Sequence, residues 1–265
     1  MKIQQIRNAT LKINYAGKFF LIDPWLVEKN KFGSFEDVPG KPFKTLDEVK
    51  NKIPAPICEL PEPVEKILEG VDYYLITHIH PDHIDINFAY GTIGSPLNKN
   101  VAIFAQDKSD AEILKKSGFN DVKILSENSI QIGKIKLTKT LALHGKIEPM
   151  CAACGVIFQA EGEKTLYLAG DTIWFDGVKN TLKKFNPEVA ILNCCAAEFL
   201  KFGRLIMDDE DVDCVHQTLP NAELFLTHLD NVPHAAITRQ KMRDLMQQRG
   251  FEKYFMPADG ETVEC

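Results

Sequence analysis

The segment that most restricts the fold is residues 73–85, YYLITHIHPDHID, where an apolar run stops at three histidines and two aspartates packed into eight residues. Residues 73–77 have the length and the aromatic and aliphatic composition of a buried strand, so His78 stands where the chain leaves a sheet. Side chains two apart on an extended chain share a side, which directs His78 and His80 at one point. Pro81 ends the pairing and turns Asp82 and His83 towards a second point nearby. An isolated buried histidine is ordinarily satisfied by a carbonyl. Three of the chain's seven histidines within six residues, interleaved with an acid, is a pattern for holding metal.

Such a segment needs a core behind it, and 265 residues with 45% hydrophobic and 26% charged content supply one, read here as a single domain spanning 1–265. A formal charge of −6 argues against a phosphate-backbone binder, so no nucleic-acid partner is expected. The opening MKIQQIRNATLKINY has no long apolar stretch, and nowhere does the chain carry the roughly 20 apolar residues of a membrane span. The expectation is a cytoplasmic protein with no membrane partner. The odd total of seven cysteines fits a reducing compartment and free thiols. Cys151 and Cys154 have C-x-x-C spacing without a second pair, and Cys194 and Cys195 are adjacent and poorly disposed to chelate together. Cys151 and Cys154 are therefore expected to be free and dispensable.

In chain order, residues 3–22 alternate as an antiparallel meander that ends at Asp23-Pro24. Seven prolines then break residues 24–63 into a long loop with room for one short helix near residues 46–52. Trp25, Phe32, Phe35 and Phe43 within that loop predict a packed wall of a substrate cleft, the alternative being a face against a second subunit in a homo-oligomer. Residues 64–69 read as a helix closed by Gly70. After the histidine segment come a strand at 101–105, a helix opened by a Ser109 to Glu112 capping box, and strands at 122–125, 130–132 and 135–143. The last of these runs into His144-Gly145, a third imidazole leaving a strand end. A hairpin of 155–160 with 165–169 ends in Gly170-Asp171. A strand at 188–193, a helix at 208–219 and a strand at 223–227 follow. That strand ends in Thr227-His228 as the first ended in Thr77-His78, which fits a pseudo-duplicated fold with His228 as the final imidazole. His234 either touches substrate or begins the last helix, which runs to about residue 248. His216, mid-helix in a polar context, reads as solvated.

The H-x-H-x-D-H pattern at His78, His80, Asp82 and His83 resembles the signature of the metallo-β-lactamase superfamily. The IRNATL and LIDP openings and the THLDNVPHAAITR stretch look like its metal-dependent hydrolases related to ascorbate-6-phosphate lactonase. The resemblance implies an α/β fold of the α+β kind, a four-layer αββα sandwich of two mixed sheets, with the ligands on loops at one edge. It implies two divalent cations per chain, zinc first, with manganese, iron or nickel compatible with nitrogen and oxygen donors. His78, His80 and His144 would hold one ion and Asp82, His83 and His228 the other, with Asp171 at the bridging position. A metal lowers the pKa of bound water from about 15.7 to roughly 7, and Asp82 or Asp171 would take its proton. Asp23, Trp25 and His234 are the candidate substrate contacts, Asp23 also being placed to support the ligand loop. The expected function is hydrolysis of a small anionic metabolite, a lactone or phosphodiester. Its rivals are a mononuclear-iron oxidoreductase of the same fold and a metal-binding protein without turnover.

Overall fold

The computed structural model describes residues 1–44, 47–148 and 150–265. The meander forms as β1 (Lys2–Arg7), β2 (Thr10–Tyr15) and β3 (Lys18–Ile22), antiparallel throughout. Beyond the proline loop lie α1 (Val64–Leu68), β4 (Tyr73–Leu75), a small hairpin of β5 (Ile86–Asn87) and β6 (Thr92–Ile93), β7 (Ala102–Ala105), α2 (Lys108–Lys116) and β8 (Val122–Ile124). The second half holds β9 (Ile130–Ile132), β10 (Ile135–Leu141), β11 (Cys154–Gln159), β12 (Leu166–Leu168), α3 (Asp176–Phe185) and β13 (Val189–Asn193). It continues through a hairpin of β14 (Glu198–Phe199) and β15 (Gly203–Arg204), α4 (Asp209–Thr218), β16 (Glu223–Thr227), α5 (Arg239–Gln248), β17 (Tyr254–Phe255) and β18 (Thr262–Glu264).

One seven-stranded sheet has the order β18-β1-β2-β3-β4-β7-β8 and the other β17-β16-β13-β12-β11-β10-β9. Each is antiparallel on one side and parallel on the other, and the parallel strands are the ones that read as unbroken apolar runs, such as VAILN in β13. The sheets bury their facing sides on each other through Ile13, Phe20, Phe104, Phe158, Leu168 and Phe225. Phe20 and Phe158 meet edge to face at 5.3 Å across that interface. Truncating such a side chain to alanine costs on the order of 3–5 kcal/mol, so the sandwich is held mainly here. Helices α1 and α2 cover the outer face of the first sheet, and α3, α4 and α5 that of the second, giving the four layers α, β, β, α.

Local chemistry corrects several sequence expectations. Helix α2 is capped by Asp107, whose carboxylate accepts from Asp110 N at 3.0 Å, instead of by Ser109. Strand β10 stops at Leu141, so His144 follows an irregular stretch. Helix α3, with Val178 and Leu182 buried on the second sheet, was not anticipated. The last helix begins at the Thr238 cap, four residues beyond His234. His216 sits in the last turn of α4 and stacks on Phe251 at 4.5 Å, half-buried where a solvated ring was expected. In the proline loop Phe35–Asp37 and Lys50–Lys52 each form a turn of 3₁₀ helix; the expected helix near 46–52 also covered Leu46, which lies outside the described residues.

Candidate metal centre

Each sheet delivers its histidines through a strand end tied down by a threonine. After β4, Thr77 donates its backbone N–H to Asp23 Oδ1 at 2.7 Å and its hydroxyl to Asp23 Oδ2 at 2.6 Å. The same carboxylate accepts from His83 Nδ1 at 2.9 Å. Asp23 is 1% exposed and is not among the residues lining the cavity described below; its carboxylate is engaged with Thr77 and His83 and so positions the ligand loop. On the opposing sheet the Thr227 hydroxyl lies 2.6 Å from Gln5 Oε1, and His228 follows with φ +62, left-handed backbone that a non-glycine residue adopts at a cost. Asn8, also left-handed at φ +53, reaches from β1 with its Nδ2 3.0 Å from Asp82 O and 3.2 Å from His228 Nε2. It spans the two halves.

The proposed ligands converge. The donor atoms of His78, His80 and His144, joined by Cys151 Sγ, all lie within 4.8 Å of one another, as do those of Asp82, His83 and His228. Asp171 groups with His78 and His83 and so touches both sets. Its Oδ2 is 3.2 Å from His83 Nε2, 3.7 Å from His78 Nε2 and 3.9 Å from His144 Nε2, while Asn193 Nδ2 donates to Oδ1 at 2.6 Å. His83 and His228 bring their Nε2 atoms to 3.1 Å, and Asp82 Oδ2 lies 3.3 Å from His228 Nε2.

The hydrogen bonds around the rings test whether this arrangement suits a cation. Thr77 gives its one hydroxyl proton to Asp23, so its oxygen can only accept from His78 Nδ1, 3.1 Å away. His144 Nδ1 donates to Leu205 O at 3.0 Å. Both rings therefore carry a lone pair on Nε2, and among the described residues neither Nε2 has a hydrogen-bond partner although both are buried. Orphaned acceptors facing one another in a dry site fit a metal ion. Burial pushes His80 down to about 4 and lowers His78 and His144 as well, so this pocket is neutral. In the other pocket burial also opposes charge, but Asp171 and Asp23 outweigh it and hold His83 up to about 10. His228 is raised well above its ordinary value by Asp171 in the same way.

Above the centre lies a cavity of about 330 Å³. Asp82, Asp171, His80, His144 and His234 form its polar floor; Trp25, Phe32, Phe35, Phe43, Phe88 and Phe199 are prominent in its apolar wall. His234 packs in a triangle of rings with Phe43, 4.8 Å away and stacked, and Phe35 at 5.0 Å, the two phenylalanines being 5.1 Å apart, and its Nε2 is 3.7 Å from Asp82 Oδ2. Trp25 is 1% exposed on the wall. The loop carrying these aromatics is fixed at its start by Arg7, which donates to Trp25 O at 2.7 Å and Val27 O at 2.8 Å, and by Asp85, which accepts from Val27 N at 2.7 Å. Its far end pairs Phe43 with Phe199 of β14. Asn8, Asn193 and Cys151 were missed as parts of the site. Only Asn8 left a signal, as an asparagine at a tight turn in the IRNATL segment.

The profile of the β-lactamase superfamily domain matches residues 47–229. A UPF0173 protein of Bacillus subtilis, YddR, is 35% identical over 99% of both chains. A UPF0173 metal-dependent hydrolase of Koribacter versatilis is 28% identical over 72% of this chain and 71% of its own. Among solved structures, the isothiocyanate hydrolase from Delia radicum gut bacteria is 34% identical, with a TM-score of 0.87 over 100% of this chain and 99% of that one. With a fold, a ligand cluster and relatives in agreement, the chain belongs to the β-lactamase superfamily, among its UPF0173 metal-dependent hydrolases.

Proposed function

We propose that this hydrolase acts on a small, neutral, largely apolar electrophile with a carbonyl-like carbon, and that isothiocyanates are the first class to test. The observation that carries this reading is the cavity: aromatic and aliphatic side chains make most of its wall, and among the described residues no lysine or arginine lines it. Beyond a metal held in the floor, an anionic metabolite would find no lysine or arginine to receive it, which weighs against the sugar-phosphate lactone or phosphodiester expected from sequence. The 34% identity to an isothiocyanate hydrolase supports the same direction.

A metal bound by the cluster would supply an acidified water and a Lewis acid. The protein's own groups do the rest. The aromatic wall takes the organic tail and excludes bulk water, setting the electrophilic carbon over the floor. Asp82, 15% exposed at its side chain and facing the cavity, is the carboxylate free to accept the attacking water's proton; Asp171 is committed to Asn193 and the histidines. His234, packed against Phe35 and Phe43 beside Asp82, is placed to orient the substrate's heteroatoms. For an isothiocyanate, water adds across the central carbon to give a thiocarbamate, which breaks its C–N bond to release the amine and carbonyl sulfide.

The test is a panel assay on metal-loaded protein with aryl and alkyl isothiocyanates, neutral lactones, sugar-phosphate lactones and cyclic nucleotides. Turnover confined to neutral substrates is expected. Turnover confined to the phosphate-bearing ones would overturn the reading.

A further inference from the structure

Cys151 takes no part in the chemistry above. Its Sγ lies 3.2 Å from His80 Nε2, and it belongs to the set of donors from His78, His80 and His144 that all lie within 4.8 Å of one another. A second observation does not involve the sulfur. Nε2 of His78 and Nε2 of His144 are without hydrogen-bond partners among the described residues, in side chains 0% and 2% exposed. Their Nδ1 atoms are already engaged by Thr77 and Leu205, so the open lone pairs point into the volume that the sulfur borders. Three imidazole nitrogens and one sulfur are a donor set that tetrahedral zinc takes. With bonds of roughly 2.0–2.3 Å, donors on one such ion stand about 3.3–3.8 Å apart, so the cluster as it stands needs only a small contraction.

We propose that Cys151 is a fourth, sulfur ligand to the metal held by His78, His80 and His144. The proposal rests on the reading that these histidines hold a metal. As the sulfur binds, the S–H bond breaks, its proton passes to solvent and the electron pair forms the bond to the ion, with no change in oxidation state. Cys151 does not line the cavity, whereas His80 and His144 do; with four protein donors this ion would be closed to water, and the acidified water would belong to an ion held by Asp82, His83 and His228. The bound sulfur also makes the first pocket softer than the second, which favours zinc, cobalt or iron there over magnesium or manganese. Cys151 and Cys154 thereby have separate fates: Cys154 sits in β11 with its side chain in the sandwich core, remote in role from its motif partner.

The test loads the metal-free full-length protein with cobalt(II) and records its absorption for the wild type, Cys151→Ser and Cys154→Ser. A thiolate-to-cobalt charge-transfer band is expected in the wild type and Cys154→Ser. It should vanish in Cys151→Ser while the visible cobalt bands persist. Cobalt affinity of Cys151→Ser should fall at least about tenfold, the least that losing even an outer partner of a ligand costs. X-ray absorption on the zinc-loaded proteins should show a sulfur neighbour in the wild type and none in Cys151→Ser. Cobalt uptake without the sulfur band, or a band that survives in Cys151→Ser, overturns the assignment of Cys151 and leaves the histidine site standing. No cobalt uptake by the wild type overturns both.

Discussion

His80 and His83 stand on one short segment, yet burial pushes His80 down to about 4, while Asp171 and Asp23 hold His83 up to about 10 against the same burial. The difference lies in what faces each ring. Around His80 are other imidazoles, each disfavouring a proton on the next; around His83 and His228 are carboxylates. The histidines of the first pocket wait with open lone pairs. In the second, protons occupy the place of a cation among Asp23, Asp82 and Asp171. Both pockets can balance their buried groups without metal, but only the second must surrender imidazole protons to take one up.

Asp171→Ala should break the comparison altogether, because its carboxylate is the one that touches both sets. Activity should fall by well over about 100-fold, beyond the loss of an outer partner. The folded sandwich should persist by circular dichroism, since the core between the sheets is untouched. Elemental analysis of His80→Ala and His228→Ala sharpens the picture: each should lose metal from its own pocket and retain it in the other. Near-normal turnover of Asp171→Ala would show that the carboxylate does not link the pockets.

The next effect is on pH. At pH 6–8 the metal-free His83 is protonated, so uptake in the second pocket should strengthen about tenfold per pH unit for the proton it releases. The first pocket's histidines add no proton release above pH 6, so any slope there comes from the Cys151 thiol, which burial pushes up to about 12, and should vanish in Cys151→Ser. Zinc titrations of the two single-pocket variants across that range decide it. The sign for the stability of metal-free protein follows from the same shifts. His80 and His234, depressed to about 4, contribute stability present above about 6.5 and lost as pH falls towards 4. His83, raised to about 10, contributes stability present below about 6.5 and lost as pH climbs through 10. Urea unfolding should therefore show acid sensitivity originating in His80 and His234 and alkaline sensitivity in His83.

Asp23→Asn keeps the shape but weakens the hold on His83 and Thr77, and should cost about 10- to 100-fold in activity. Equal metal affinity and rate in this variant would show that the buried carboxylate serves the turn alone. The smallest effect is reserved for the wall. Phe43→Ala removes a ring that stacks on His234, and should raise KM for an apolar substrate about tenfold with metal content unchanged.

How much of this could be read from the chain differs residue by residue. His78, His80, Asp82 and His83 were legible because they are contiguous and follow a strand whose apolar run is unmistakable. His228 was legible because it directly follows a strand, and His144 because its strand ends close before it, at Leu141. Asn8 and Asn193 were not, since an asparagine that reaches a ligand through space looks in sequence like one that caps a turn. Cys151 was read beside Cys154 because of the C-x-x-C spacing, whereas the side chain its sulfur meets is His80, 71 positions away. Helix α3 escaped because its apolar positions are few, Val178 and Leu182 being the hydrophobic residues it buries. The two-stranded pieces β14 and β15 owe their place to the loop that packs on them through Phe43.

The pairing of β1 with β18, Lys2 against Glu264, has a consequence for how the molecule assembles. Strand β1 is flanked by β2 early but waits for β18 to cover its other edge, and Asn8, just beyond β1, waits likewise for His228. Contacts of such sequence separation carry a large loop-closure entropy and form late. A ribosome-bound chain can present His78, His80 and His83 long before His228 emerges, so an ion captured then would sit in an incomplete cage. Metal is better taken up after synthesis ends, and release-coupled loading is what pulse-labelled translation in the presence of a chelator should detect.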